Sequence, residues 1–352
     1  MSFRTKADSP WARRGHELAW EQFPLPAGPE APRAQLGDFL KQGQLNVTQD
    51  DDSATLRGPN FVARFSKKDG LITGYTYKGT PLLERGPRVD FWRSRTDNDT
   101  GAAKGTNEAA QSDVQATIRN WRNAGPLWNV KQADVEIVND STARIIVKAE
   151  PANTGGALVT MNYQVFSAGD IIVETTYQPG SARLNIMPRF GTELILAPGL
   201  ENFTWYGRGP VETHIDRQFE RISVYRSTVN KEWVNYSKPQ ENGNKTDVRW
   251  VALTNERGVG LLAVGSPALS VAARHFTKDD VEHAAYTFMM QPHPQVFLNL
   301  DWKQQGVGGI DSWSRNALPM TPYRIPADQT YSYRYRLSPI EGDFSGKTRE
   351  QF

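Results

Sequence analysis

The chain has no cysteine, which excludes disulfides, thiolate metal sites and thiol nucleophiles. It has almost no net charge. Its 41 basic and 39 acidic residues leave +2 over 352 positions, so there is no overall electrostatic footprint for nucleic acid. Long apolar runs are missing as well. None approaches the ~20 residues that cross a bilayer, and the start, MSFRTKADSPWARRGHELAW, lacks the apolar core of a secretory signal. The five histidines, His16, His214, His275, His283 and His293, show no HExxH or other metal-ligand spacing, which argues against zinc. These absences suit a cytoplasmic protein with no nucleic-acid or membrane partner and no cofactor. Whether a metal ion sits in the acidic loops, and whether the chain self-associates, stays open.

Helical periodicity is scarce. Only one stretch carries it: Ser112 can cap, Gln115 sits at the capping-box position, and Val114, Ile118 and Trp121 share a stripe before Gly125. Alternation is abundant instead. Phe61, Ala63 and Phe65 alternate with Val62 and Arg64 before a KKDG turn into 71–77. Val159, Met161, Tyr163 and Val165 share one face, and a turn at Ser167 to Asp170 leads into Ile171, Val173, Thr175 and Tyr177. Tyr331, Tyr333, Tyr335 and Leu337 form another such face. Period-two patterns joined by Gly, Asp and Asn turns predict an all-β chain of packed antiparallel sheets.

The first 23 residues hold a strand-like run from Gly15 to Phe23, and residues 24–40 open with the proline-rich PLPAGPEAP. Proline fixes φ and removes a donor, so 24–40 reads as a semi-rigid linker. Two or three strands are too few for an independent core, so 1–23 reads as the closing part of a domain begun elsewhere. Such an unfinished sheet favours pairing with another chain. The main domain is expected over 41–340, and the polar tail 341–352 is expected to fray.

Four segments are too polar and irregular for strands. In DFWRSRTDNDTGAAKG, Arg93 and Arg95 stand beside Asp97, Asn98, Asp99 and Gly101. Asp and Asn side chains tie such stretches to nearby backbone, so a rigid loop is the default reading. The same groups suit a polyhydroxylated ligand, because each sugar hydroxyl both donates and accepts. WYGRGPVETHIDR (205–217) and KPQENGNKTDVRW (238–250) have the same character. Salt-bridged loops built on Glu212, Asp216 and Arg217, and on Glu241, Asp247 and Arg249, weigh equally with a sugar site there. GVGGIDSWSRN (306–316) sets Trp313 among Gly, Asp and Ser, a setting that presents an aromatic to a ligand better than it packs one in a core. A fifth stretch, GVGLLAVG (258–265), lacks the Lys-Ser/Thr ending of a phosphate loop and reads as a tight turn into a buried strand.

In their order along the chain, FWRSRTDNDTGAA, YGRGPVETHIDR, PQENGNKTDVRW and VGGIDSW resemble the C-terminal, small-chain domain of family 2 β-galactosidases. GHELAWEQFPLP similarly resembles the closing strands of the immunoglobulin-like domain that precedes it, so the resemblance runs from about Ser2 to Ile340. It implies a large antiparallel supersandwich, galactose mutarotase-like in shape, that helps to wall a galactoside site. It also implies that Trp313 lies at the sugar, with Arg93, Asp97, Asn98 and Asp99 beside it, and that the partner is a barrel-bearing large chain.

The departure from the family is large. Retaining glycosidases need two carboxyl groups about 5–5.5 Å apart, which this family takes from a (β/α)₈ barrel of roughly 250 residues. No segment here matches those glutamates. The rivals are therefore a self-sufficient hydrolase that recruits two carboxylates among Asp97, Asp99, Glu212, Glu241 and Asp311, an epimerase using His214 and Glu212, and a pure carbohydrate-binding module.

Overall fold

The computed structural model describes residues 1–23, 25, 43–104, 120–182, 184 and 186–342. Apart from Leu25, the proline-rich stretch 24–40 lies outside them, as do Ser112, Val114, Gln115 and Ile118 of the expected helix and the tail beyond Gly342. The chain divides into two units, Met1–Asp38 and Phe39–Phe352.

In the smaller unit, β1 (Ser2–Arg4) and β2 (Glu17–Trp20) pair antiparallel, Ser2 opposite Trp20. Thr5 holds the connection between them, donating its amide to His16 O at 2.9 Å and its hydroxyl to Arg13 O at 2.7 Å.

The larger unit contains sixteen described strands in one continuous antiparallel network. β3 (Asn46–Gln49), β4 (Ser53–Arg57), β5 (Phe61–Ser66), β6 (Leu71–Tyr77) and β7 (Thr80–Asp90) form a first meander. A second comprises β8 (Asn129–Asn139), β9 (Thr142–Glu150), β10 (Leu158–Phe166) and β11 (Ile171–Gln178). There follow β12 (Arg189–Leu196), β13 (Asn202–Gly209), β14 (Arg221–Thr228) and β15 (Lys245–Thr254). The last three are β16 (Gly260–Arg274), β17 (Val296–Gln304) and β18 (Tyr331–Ile340).

The main path runs β3-β4-β5-β6-β7-β12-β17-β16-β18-β11-β10-β9-β8, and β15, β13 and β14 extend from β16 in that order. β16 makes the layers possible. Its first part, Gly260–Ser266, pairs with β18, and its last, Ser270–Arg274, pairs with β17. One long strand thus serves two parts of the sheet, which is how sandwich corners are turned.

The alternation read from the sequence is realised residue by residue. Val159, Met161, Tyr163 and Val165 are buried on β10, Ile171, Val173, Thr175 and Tyr177 on β11, and Tyr331, Tyr333, Tyr335 and Leu337 on β18. Because side chains alternate faces along a strand, one register decides the whole set. Phe190 sits at the middle of the aromatic core, its ring centroid 5.5 Å from Tyr333, 6.0 Å from Tyr331 and 6.1 Å from Phe91. Trp121 packs on Phe91 at 5.2 Å. In the glycine-rich run, Gly258 (φ +77°) closes a turn on Asn255, and Leu261, Leu262 and Ala263 are buried in β16. The turn reading of that run is correct.

Pairing of β7 with β12, and of β12 with β17, brings Asp90, Arg189 and Gln304 to one end of the sheet. From that end the chain leaves into two of the four polar segments.

Candidate functional site

The first polar segment, read from sequence as a loop, contains a short helix, α1 (Asp97–Lys104). Thr96 and Asp99 form a reciprocal cap: the Thr96 amide donates to Asp99 Oδ2 at 3.1 Å, and the Asp99 amide donates to Thr96 Oγ1 at 3.2 Å. The pattern Thr-x-x-Asp was the available signal, and acidic residues in the first turn suit the helix dipole.

Arg93, 1% exposed, lies beneath this cap. Its guanidinium donates to both Asp99 oxygens (3.1 and 3.2 Å), to Gln304 Oε1 (3.3 Å), and to the carbonyls of Gln305 (2.7 Å) and Gly306 (2.9 Å). That accounts for all five N–H donors. Arg93 is therefore a brace for the segment, with its donors used within the chain. Asp99 is engaged in the same way. Asp97 is exposed, exchanging hydrogen bonds with Gln240 at 2.9 and 3.0 Å. Half-buried Asn98 donates to Asp311 O (3.1 Å) and Ala317 O (3.0 Å).

The segment after β17 forms a closed turn. Asp311 accepts from the amides of Trp313 (3.1 Å) and Ser314 (3.0 Å) and from the Ser314 hydroxyl (2.6 Å), and Ile310 N donates to Asn316 O (2.8 Å). The Ser314 hydroxyl and these amides hold the Asp311 carboxyl below its ordinary range. Asp311 is thus the turn's organiser, and Trp313 at the tip is 71% exposed. α1 presses on this turn so closely that a Cβ on Gly101 would lie 1.8 Å from Ser312 O.

The other two segments are zipped together. The Thr213 amide donates to Asn244 O (2.7 Å), Asn244 Nδ2 donates to Thr213 O (2.8 Å), and the Thr246 amide donates to Thr213 Oγ1 (2.9 Å). Glu212 accepts from the Gly243 amide (2.9 Å), from Arg217 (3.0 Å) and from the Tyr236 hydroxyl. Burial would raise its pKa, but His214, Tyr236 and the Gly243 amide prevail and bring it to about 2. His214 itself is 1% exposed, with Nε2 3.9 Å from Glu212. The salt-bridged reading of Glu212 with Arg217 is correct, and a His214–Glu212 acid/base pair open to substrate is not what the fold builds.

Glu241 has no exposed side-chain surface. Oε1 accepts from Arg189 (2.6 Å) and Gln304 (3.1 Å), and Oε2 accepts from Arg274 (2.9 Å). Burial pushes its pKa up, but Arg274, Arg189 and Arg93 overcome this and bring it to about 2. Its ion-pair partners are arginines of distant strands, not Arg249 of its own segment. The pair belongs to a buried network in which Asp90, Glu193, Glu241 and Asp301 face Arg88, Arg189, Arg274 and Lys278. Asp301 is the odd member. Burial, reinforced by Asp90 and Glu241, lifts its pKa well above the usual carboxylate range despite Arg189 3.0 Å away. Sequence reading missed this plate, although Arg189 and Asp301 are charged residues set within apolar runs.

All four segments therefore meet. Arg93, Asn98 and Gly101 join the first to the last, Asp97–Gln240 joins the first to the third, and Thr213–Asn244 joins the second to the third. Asp216 Oδ2 joins the second to the last by accepting from the amides of Val307 (2.9 Å) and Gly308 (2.8 Å). The assembled surface offers an exposed indole and the exposed Asp97, whose carboxylate accepts from Gln240 alone among the described residues, while the other carboxylates considered have several partners within the chain.

A family model described as β-galactosidase small chain matches residues 57–337. The chain belongs to the β-galactosidase small-chain family. A second model, β-galactosidase domain 4, matches residues 1–26. Among relatives of this small-chain domain, the β-galactosidase of Priestia megaterium (strain DSM 319 / IMG 1521) is 31% identical over 342 residues, covering 97% of this chain and 31% of that protein. That of Lactobacillus delbrueckii subsp. bulgaricus is 30% identical over 341 residues, covering 95% and 31%. The chain thus spans about a third of the length of these relatives. A solved galactose 1-epimerase from Lactobacillus acidophilus aligns over 86% of this chain and 100% of its own with TM-score 0.45 and 7% identity, too distant to weigh on the assignment. Among the described residues, no helix is long and apolar enough to cross a membrane.

Proposed function

We propose that this chain supplies one wall of the galactoside site of a β-galactosidase. In this reading a barrel-bearing large chain brings the acid/base and the nucleophile, and the assembly hydrolyses terminal β-D-galactosides. The observation that carries it is a contrast at the converged site: Trp313 faces solvent, whereas Glu212, Glu241, Asp99 and Asp311 are engaged internally. A glycosidase of its own would need two carboxyl groups with free faces at a fixed separation, and Glu241, sealed among arginines, offers none. An exposed indole can stack on a sugar ring, and Asp97 can accept from a hydroxyl. The epimerase reading rests on His214 and Glu212, and the burial of His214 speaks against it. Membership of the small-chain family favours a subunit over a free-standing binding module. The proposal includes no cofactor and places the protein in the cytoplasm, the latter on its cysteine-free composition alone.

The test is turnover of a chromogenic β-galactoside by the purified chain, alone and with a large chain carrying the barrel. We expect no robust turnover alone and activity on mixing. Robust turnover by the chain itself, abolished by replacing Glu212, Glu241 or Asp311, would refute the proposal.

A further inference from the structure

Among the described residues the indole of Trp313 makes no hydrogen bond or ring contact, and it is 71% exposed, so no polar or ring partner among them fixes its direction. Its aim depends on the backbone of the 306–317 turn. That turn is closed by its own bonds, Ile310 N to Asn316 O at 2.8 Å and Ala317 N to Ser314 O at 2.9 Å. A Cβ on Gly309 would lie only 2.3 Å from Asn316 O, so the two limbs are in close contact. Such a turn moves as one body, and its orientation is set where other segments grip it.

Besides Arg93, which donates to Gly306 O where the turn begins (2.9 Å), two described side chains grip it from outside. On one limb, Asp216 Oδ2 accepts the amides of Val307 (2.9 Å) and Gly308 (2.8 Å). The fit is tight, because a Cβ on Gly306 would come within 2.7 Å of the same oxygen. Asp216 Oδ1 is buried without a hydrogen-bond partner among the described residues, so the carboxylate is committed to those two amides. At the tip and on the other limb, Asn98 Nδ2 donates to Asp311 O (3.1 Å) and Ala317 O (3.0 Å), one bond on each side of Trp313. Hydrogen bonds to an ionised acceptor are the stronger kind, so Asp216 is the firmer anchor.

We infer that Asp216 and Asn98 are positioning residues that aim Trp313, acting from two different segments on a ring they do not touch. The consequence for ligand binding rests on the reading of Trp313 given above, but the positioning itself does not.

The two parts can be tested separately on the full chain labelled with ¹⁵N, in which the Trp313 indole signal is identified by its loss in Trp313→Phe. Asp216→Ala and Asn98→Ala should shift that signal and increase its motion while leaving the melting temperature within a few degrees of wild type. Asp216→Asn keeps a carbonyl oxygen for the two amides, so it should restore most of the wild-type signal. A merely structural role would not give that recovery. An indole signal unmoved by Asp216→Ala and Asn98→Ala overturns the inference. Titration with methyl β-D-galactoside then addresses the ligand. Trp313→Ala and Asp216→Ala should each weaken binding about threefold to tenfold, and the double variant should be no weaker than Trp313→Ala, because both act through one ring. If Trp313→Ala leaves galactoside binding in the assembled enzyme unchanged, the functional reading fails while the positioning stands. If Trp313→Ala weakens binding and Asp216→Ala does not, the positioning fails.

Discussion

Replacing Glu241 with glutamine probes the buried plate with little change of volume. All three donors around the carboxylate, Arg189 (2.6 Å), Gln304 (3.1 Å) and Arg274 (2.9 Å), point hydrogens at its oxygens. An amide must turn its NH₂ group toward at least one of them, so donor meets donor in a site without water-exposed surface. The charge is lost too, leaving Arg189 and Arg274 under-compensated, and breaking such pairs typically costs about 3–5 kcal/mol. A second route gives a similar size. The pKa of Glu241 falls from 4.5 to about 2 in the fold, and at about 1.4 kcal/mol per pH unit this corresponds to roughly 3 kcal/mol favouring the ionised, folded state. We expect Glu241→Gln to lower stability by about 3 kcal/mol at pH 7, read as a urea-midpoint shift or as a melting-temperature drop of roughly 5 °C for a unit of this size. The pH dependence has a definite sign. A carboxyl whose pKa is depressed on folding contributes stability above its unfolded value and loses it as pH falls toward the folded one. The gap between wild type and variant should therefore be constant above about pH 5 and shrink between about 4.5 and about 2. A loss below about 1 kcal/mol at pH 7, or a gap that persists in acid, would refute this account of the plate.

Gly101→Ala places a methyl carbon 1.8 Å from Ser312 O, so α1 and the Trp313 turn must separate. We expect a loss of about 1–3 kcal/mol in thermal melts and faster amide exchange at 311–317; unchanged exchange there would count against the contact. Phe190→Ala removes the centre of the aromatic core and should cost about 3–5 kcal/mol in denaturant titrations. A cost under 1 kcal/mol would mean that the core closes over the gap.

The strands were legible because burial at a sheet face repeats every second residue, and Tyr331, Tyr333, Tyr335 and Leu337 announce their face without knowledge of any partner strand. The turn at Gly258 and the exposure of Trp313 were legible for a similar reason, since both follow from near neighbours in sequence. Thr96 and Asp99 could have disclosed α1, a cap being a local pattern. The fate of the charged side chains could not be read in this way. Arg93 and Gln304 are 211 positions apart, and Arg189 and Glu241 are 52. Composition cannot distinguish a carboxylate sealed among arginines from one facing a ligand, because that difference lies in which distant strands the register brings together. The sequence by itself therefore determined which residues form sheets and which segments are chemically unusual. Only the tertiary structure decided that those segments meet, that Glu241 and Arg93 brace them from beneath, and that Asp216 and Asn98 bond to the turn that carries Trp313, because antiparallel pairing joins residues that are remote along the chain.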